Sequence, residues 1–356
     1  MKTYVGDGWV LGPVRVVIGA ILVWYALGSG EELANVGYFG DSFHMPMIPE
    51  ALVPSHRAYT FLVAARVCLA VMITIGVWAR PALALSSVAL IWTLLSDRLQ
   101  GHHNRYCLAC FAMLLAMTPC DRSWRAAIDG PAIRTGSFWA VRLAQLQVSL
   151  VYLVSGSSNL FDADWRDGLV LGDRIATYGP IAIERGVPAS VVHALGDGSS
   201  ALAKLIIMTE LFLCVALWLK PLRVVALWCG VWFHIIIQIT TKVETFTVLT
   251  LALYGLFATP DFRCRSVRFD PSRLAGKLTG VLVPLLDWLA RFDVKPWEPD
   301  DTSGHSVVVV RRDGTRVTGI RAFTMLTRCL PLLFPFWAPV ALLASFTRQG
   351  DLTTRG

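Results

Sequence analysis

Charge is scarce in this sequence: Lys, Arg, Asp and Glu make up 16% of its 356 residues, against roughly a quarter in an average soluble chain. Hydrophobic residues take 55%, and the mean hydropathy is +0.56. An ordinary soluble domain of this size is thereby excluded. Also missing are the P-loop, HExxH and GxSxG patterns, which removes the usual nucleotide, zinc-protease and serine-hydrolase readings. No CxxC pairs sit on loops, so the eight cysteines form neither a zinc site nor a disulfide framework. The net charge of +7 and pI near 9.1 come without a basic stripe interleaved with aromatics, so nucleic acid is not an expected partner. No small-residue cleavage site follows the first apolar run, which predicts a retained anchor and not a signal peptide.

What the chain does have is long apolar blocks. A helix needs ~20 mostly apolar residues to cross the hydrocarbon core, and blocks of that kind predict about eight transmembrane helices, near 11–27, 59–78, 82–95, 106–117, 138–154, 201–219, 222–239 and 246–258. Arg15, in the first block, is expected to snorkel to the near interface. Two long polar stretches, 28–55 and 155–200, read as extramembrane loops; Pro46, Pro49 and Pro54 prevent a continuous helix in the first, and Tyr38, Phe39 and Phe43 tie it to the membrane surface. Basic residues favour a cytoplasmic N-terminus, through Arg80, Arg122, Arg125, Arg134, Lys220, Arg223 and the tail's Arg263, Arg265, Arg268 and Arg273, while Arg98, Arg105 and Lys242 count the other way. Both termini are placed in the cytoplasm, in a cell membrane. Beyond residue 260 the character changes: 274–292 reads as an amphipathic helix lying on the membrane or as a ninth crossing. The run SVVVVRRDGTRVTG predicts a β-hairpin around Asp313 and Gly314, and two helices follow. The fold class is thus an all-α polytopic membrane protein with a small α+β cytoplasmic C-terminal module, divided as 1–260, 261–300 and 301–356.

Ionisable residues inside a membrane are costly and face protein or a watery hollow, so candidate chemistry is sought there. His103 and Asn104, after Asp97, Arg98 and His102, form either a polar rim able to move protons or an interfacial turn. Arg142, Gln145 and Tyr152 share a helix face; Arg142 is read as snorkelling. Asn159, Asp162, Asp164 and Trp165, in SGSSNLFDADWRDG, form either an outer-face site or a helix exit with turn and cap residues. Glu210 and His234 lie mid-span, with Lys204 and Gln238 on the same helices; a mid-membrane carboxylate needs a partner or a changed protonation state. Cys107 and Cys110, in CLAC, read as buried small hydrophobes.

At these clusters the segments LGPVRVVIGAILV, GYFGDSFHMPMIPE, IGVWAR, SDRLQGHHNRY and YLVSGSSNLFDADWRDG resemble the HTTM family, bacterial relatives of the vitamin K-dependent γ-glutamyl carboxylase. The likeness runs over roughly 10–260. It implies a multi-helix membrane fold with a hollow open to the outer side; in the carboxylase a deprotonated reduced vitamin K drives carboxylation of peptide glutamate. The family pattern carries its base, a lysine, before the Leu that precedes the DADW-like stretch, and this chain has Asn159 before Leu160, plus an extra Phe161. An amide cannot accept that proton. His103 and Asn104 match a polar pair of the carboxylase, and His234 a span histidine. VVVVRRDGTRVTGIRAFTMLTRCLPLLFP resembles the end of the DCC thiol-disulfide oxidoreductase-like family, without the Asp-Cys-Cys motif that names it.

Three functions follow as expectations. One is a non-carboxylating protein binding a lipid or quinone-like ligand within its helices, lined by His103, Asn104, Asn159, Glu210 and His234, with Asp162, Asp164 and Trp165 at the rim. The second is a quinone-coupled enzyme with another base. The third is an envelope assembly protein whose tail docks a membrane protein partner. No metal is expected.

Overall fold

The computed structural model describes residues 10–38, 41, 43–121, 139–219, 222–240, 245–257, 265–287, 292–297, 304–311 and 314–346. The chain forms two compact units, Met1–Phe257 and Ala258–Gly356. Arg122, Arg125, Arg134, Lys220, Lys242, Arg263, Phe39 and Asp313, invoked above, lie outside the described residues.

In the first unit the helices are α1 (Leu11–Asn35), α2 (His56–Ile75), α3 (Ala79–Ser96), α4 (His103–Ala116), α5 (Trp139–Phe161), α6 (Ala163–Arg166), α7 (Leu169–Glu184), α8 (Ala189–Asp197), α9 (Ser199–Ala216), α10 (Arg223–Thr240) and α11 (Phe246–Tyr254). Among the described residues four helices, α1, α2, α3 and α9, are long and apolar enough to cross a membrane. The apolar stretches Arg223–Ile239 and Phe246–Phe257 are shorter. At 14 residues α4 rises only about 21 Å, while α5 has 23 residues but spends many of them on polar side chains.

Local chemistry sets the boundaries. Ser55, after Pro54, caps α2 by accepting the Ala58 N–H at 3.4 Å, so the helix starts before the apolar run does. It ends at Gly76, whose φ of 86° is left-handed and suits glycine. The main pairings are α1 with α2, α3 with α4 and α5 with α9. Small residues let backbones approach: a Cβ on Gly19 would fall 2.8 Å from the Thr74 nitrogen.

Arg15 does not snorkel. It is fully buried and donates from Nη1 to the Cys120 carbonyl at 3.1 Å, while Arg80 donates to the Ala116 carbonyl at 3.0 Å. The Ala116 carbonyl is one that the end of α4 leaves open, and Cys120 lies in the turn just after it. Arg223 does the same after α9, reaching the Leu217 and Trp218 carbonyls at 2.9 and 3.2 Å. Asp97 is likewise no water-facing turn residue: it is 3% exposed and accepts the Met45 and Leu99 N–H groups, both at 3.1 Å, which fastens the first polar stretch to the end of α3.

The second polar stretch is helical, not a loop. Leu171, Ile175, Gly179 and Ala182 of α7 are buried, a helical stripe hidden in the sequence by turn-forming Gly and Asp residues. Cys107 is half-buried and Cys110 exposed, both free thiols, so Cys110 is on the outside of its helix.

The second unit is a four-stranded sheet in the order β2-β1-β3-β4, from β1 (Arg265–Phe269), β2 (Phe292–Pro296), β3 (Val307–Val310) and β4 (Arg316–Thr318). Its helices are α12 (Leu274–Leu286), α13 (Gly319–Cys329) and α14 (Trp337–Phe346). The β1–α12–β2 segment is a parallel crossover, Arg265 opposite Phe292. The hairpin forms as expected, with Val309 opposite Val317, and β1 pairs antiparallel to β3. The sheet therefore joins strands from either side of residue 300. Neither β1 nor β2 is visible as a strand in the sequence, because RSVRF and FDVKP carry single apolar alternations inside charged runs. Val267, Val307, Val309, Ala322 and Leu326 close the core.

Candidate functional site

One helix organises the interior of the first unit. Along α5 the residues Arg142, Gln145, Ser149, Tyr152, Ser155 and Asn159 recur every three or four positions, a polar stripe on one face that runs roughly 25 Å. Each member is held. Arg142 Nη1 donates to Gln145 Oε1 at 2.9 Å and its guanidinium lies over the Trp218 ring at 5.7 Å, so Arg142 is bound within the protein. Gln145 Nε2 donates to the Leu256 carbonyl at 2.6 Å, and Trp218 Nε1 to Ser149 Oγ at 2.7 Å.

Further along, the stripe meets the titratable groups. Tyr152 Oη is 2.8 Å from His234 Nε2 and also hydrogen-bonds the Tyr254 hydroxyl. Tyr152, His234 and Tyr254 are all buried, His234 completely. Gly230 makes room for this: a Cβ there would stand 2.5 to 2.7 Å from Tyr254 ring carbons. The other imidazole nitrogen of His234, Nδ1, is buried with no hydrogen-bond partner among the described residues.

One turn on, the Glu210 carboxylate of α9 uses both oxygens. Ser155 Oγ donates to one at 2.7 Å and Asn159 Nδ2 to the other at 3.2 Å. Glu210 is 5% exposed. Gly156 permits the approach of α9, since a Cβ there would sit 3.1 Å from both Glu210 Cβ and Leu211 Cδ2.

The remaining sequence candidates fall into two groups. The Phe246 ring stands between His234 and His103, with centroids 5.9 and 6.5 Å away, and His103 stacks on His102 at 4.3 Å. Asn104 is buried beside them at the start of α4. Trp165 is half-buried under Arg174, 5.0 Å from its ring, and the Arg174 charge reaches His103. Asp162 and Asp164, by contrast, are exposed. Asp162 accepts the Asp164 and Trp165 N–H groups at 3.0 and 3.4 Å, the behaviour of a helix cap. Lys204 and Gln238 are exposed on their helices.

Sequence reasoning overlooked Ser155, Tyr254 and Phe246. The hydroxyl of Ser155 was visible at i−4 from Asn159, whereas Tyr254 and Phe246 sit in an apolar run that reads as plain core. No group of three or more metal-binding side chains occurs among the described residues.

The fold and this interior define a membrane protein built of helices around a buried polar network of carboxylate, imidazole and phenol groups. The HTTM domain matches residues 6–262, and the chain belongs to that carboxylase-like family. No curated protein matches the chain. No solved structure matches it either.

Proposed function

We propose that this HTTM protein crosses the membrane eight times, through α1 to α5 and α9 to α11, and binds a lipid or quinone-like ligand among them without γ-carboxylase activity. The observation that carries the ligand is the unsatisfied Nδ1 of fully buried His234. Leaving such a group unpaired costs on the order of 1–3 kcal/mol, and a ligand hydroxyl or carbonyl would remove that cost. The imidazole, two phenols and the Phe246 ring are surroundings suited to a ring with one polar edge. Against carboxylase chemistry stands Asn159, where the family pattern has its lysine. Its amide is donated to Glu210 and offers no base.

The test is mass spectrometry of material extracted from the purified full-length protein. A quinone or a defined lipid at near-stoichiometric amount, depleted in His234→Phe, is the expected result. Protein that carries only bulk lipid in the proportions of the membrane would refute the reading.

A second reading draws on one contact. Glu210, a titratable group, touches Asn159 itself, so a base stands beside the family's base position. On that reading the protein is a quinone-coupled enzyme, and quinol-dependent turnover would vanish in Glu210→Gln.

The eight crossings are supported by the arginine clamps. Arg15, Arg80 and Arg223, near the starts of α1, α3 and α10, hold carbonyls at or just after the ends of α4 and α9, in keeping with an alternating up-and-down path. Under the positive-inside rule that end faces the cytoplasm. The tail is proposed to be a DCC-like remnant: the entry to its crossover helix α12 carries Ser272 and Arg273, where a redox module would place cysteines.

A further inference from the structure

A second set of polar residues lies away from the Glu210 network. Arg66, at the middle of α2, is 5% exposed, and its Nη1 is buried with no hydrogen-bond partner among the described residues. Among the described residues the groups whose charge reaches it are Tyr59 and Arg105; no carboxylate does. Glu32 of α1 is exposed, and its charge bears on Tyr59. Arg105, from the first turn of α4, lies over the Tyr25 ring at 5.4 Å. The Ser29 hydroxyl donates to the Tyr25 carbonyl at 2.9 Å, and the Tyr25 hydroxyl accepts from Thr245 Oγ1 at 3.1 Å. The buried, unsatisfied Nη1 of Arg66 thus lies within electrostatic reach of a second guanidinium and a phenol. A guanidinium in the middle of a membrane helix is tolerated when something pairs it, and the planar fork of donors matches a carboxylate or phosphate.

We propose that Arg66, with Arg105 and Tyr59 beside it, forms an anion site between α1, α2 and α4 that takes an oxyacid group, a carboxylate or a phosphate. The acid enters from the end of α2 and α4 where Tyr59 and Arg105 stand, and Arg66, two turns deeper, meets it with Nη1. The site does not depend on the reading of the Glu210 network, and the two could fail separately.

The experiment uses the full-length protein in a neutral detergent and follows its thermal midpoint. One arm titrates inorganic phosphate and acetate against chloride at constant ionic strength. The other titrates short-chain phosphatidic acid into phosphatidylcholine micelles. A saturable rise in the first arm identifies a soluble anion, and a rise confined to the second identifies a lipid headgroup. In either case Arg66→Gln is expected to weaken the effect by about tenfold or more, the loss of a charge-assisted pair. Should that variant fail to fold, Arg66→Lys replaces it, with a smaller loss because an ammonium cannot bind in the two-pronged way. No saturable rise in either arm overturns the site, as does a folded Arg66→Gln that responds like the unaltered protein.

Discussion

Asn159 and Glu210 show why a single side chain changes meaning with its neighbour. Read alone, Asn159 marks the loss of a base; in the structure it is a donor that holds a buried carboxylate together with Ser155. Glu210→Ala should cost about 1–3 kcal/mol, because it leaves two half-buried donors unpaired, whereas Glu210→Gln keeps an acceptor and should cost less. Thermal unfolding of both purified variants checks the order. Asn159→Lys should be tolerated without loss of the thermal midpoint, since the ammonium meets Glu210 directly. A fall equal to that of Glu210→Ala would show that the carboxylate does not face this position. For the phenol pair, Tyr152→Phe and Tyr254→Phe should be non-additive by 0.5 kcal/mol or more, on the order expected of groups in one network; a double-mutant cycle measures it.

At the scale of elements, close helix approach is what brings these side chains into reach. Gly156→Val should push α9 from α5 and cost about 1–3 kcal/mol, the usual penalty for overpacking, read as a lower unfolding midpoint. In the tail, the turn into α12 makes a pH prediction. The Ser272 hydroxyl and then its N–H, at 2.6 and 2.9 Å, hold the exposed Asp270 carboxyl below the ordinary aspartate range. A lowered value in the folded state means stabilisation that is present above ~3.9, the unfolded value, and is lost as pH falls through the folded one. Asp270→Asn should therefore be less stable than the unaltered chain at neutral pH, and the gap should close in acid, as urea unfolding at several pH values would show. The strands of this unit were only half legible: the hairpin announces itself through β-branched runs, but β1 and β2 are strands because each finds a partner, and pairing as distant as Arg265 with Phe292 or Ser266 with Val310 leaves no local mark.

For the molecule as a whole, the apolar blocks predict about eight crossings, whereas helix length and hydropathy alone support four among the described residues. The difference lies in α4, α5, α10 and α11, which are short or carry polar side chains turned inward. Reporter fusions check the path: fusions after residue 36 and after residue 257 should report opposite sides of the membrane, with the latter cytoplasmic. A result placing both on one side would break the alternating path.

Composition and block length by themselves determined that this chain lives in a bilayer, since so little charge over such long apolar runs leaves no other solvent for the backbone. The segments that resemble the HTTM family, YLVSGSSNLFDADWRDG above all, likewise pointed to it. Which polar groups meet was decided only by the tertiary structure. Glu210 and Asn159 are 51 positions apart, and Tyr152 and Tyr254 are 102 apart, distances over which sequence carries no contact information. The polar face of α5 was written in its spacing, but whether that face looked at lipid, water or a carboxylate depended on which helix came to lie against it.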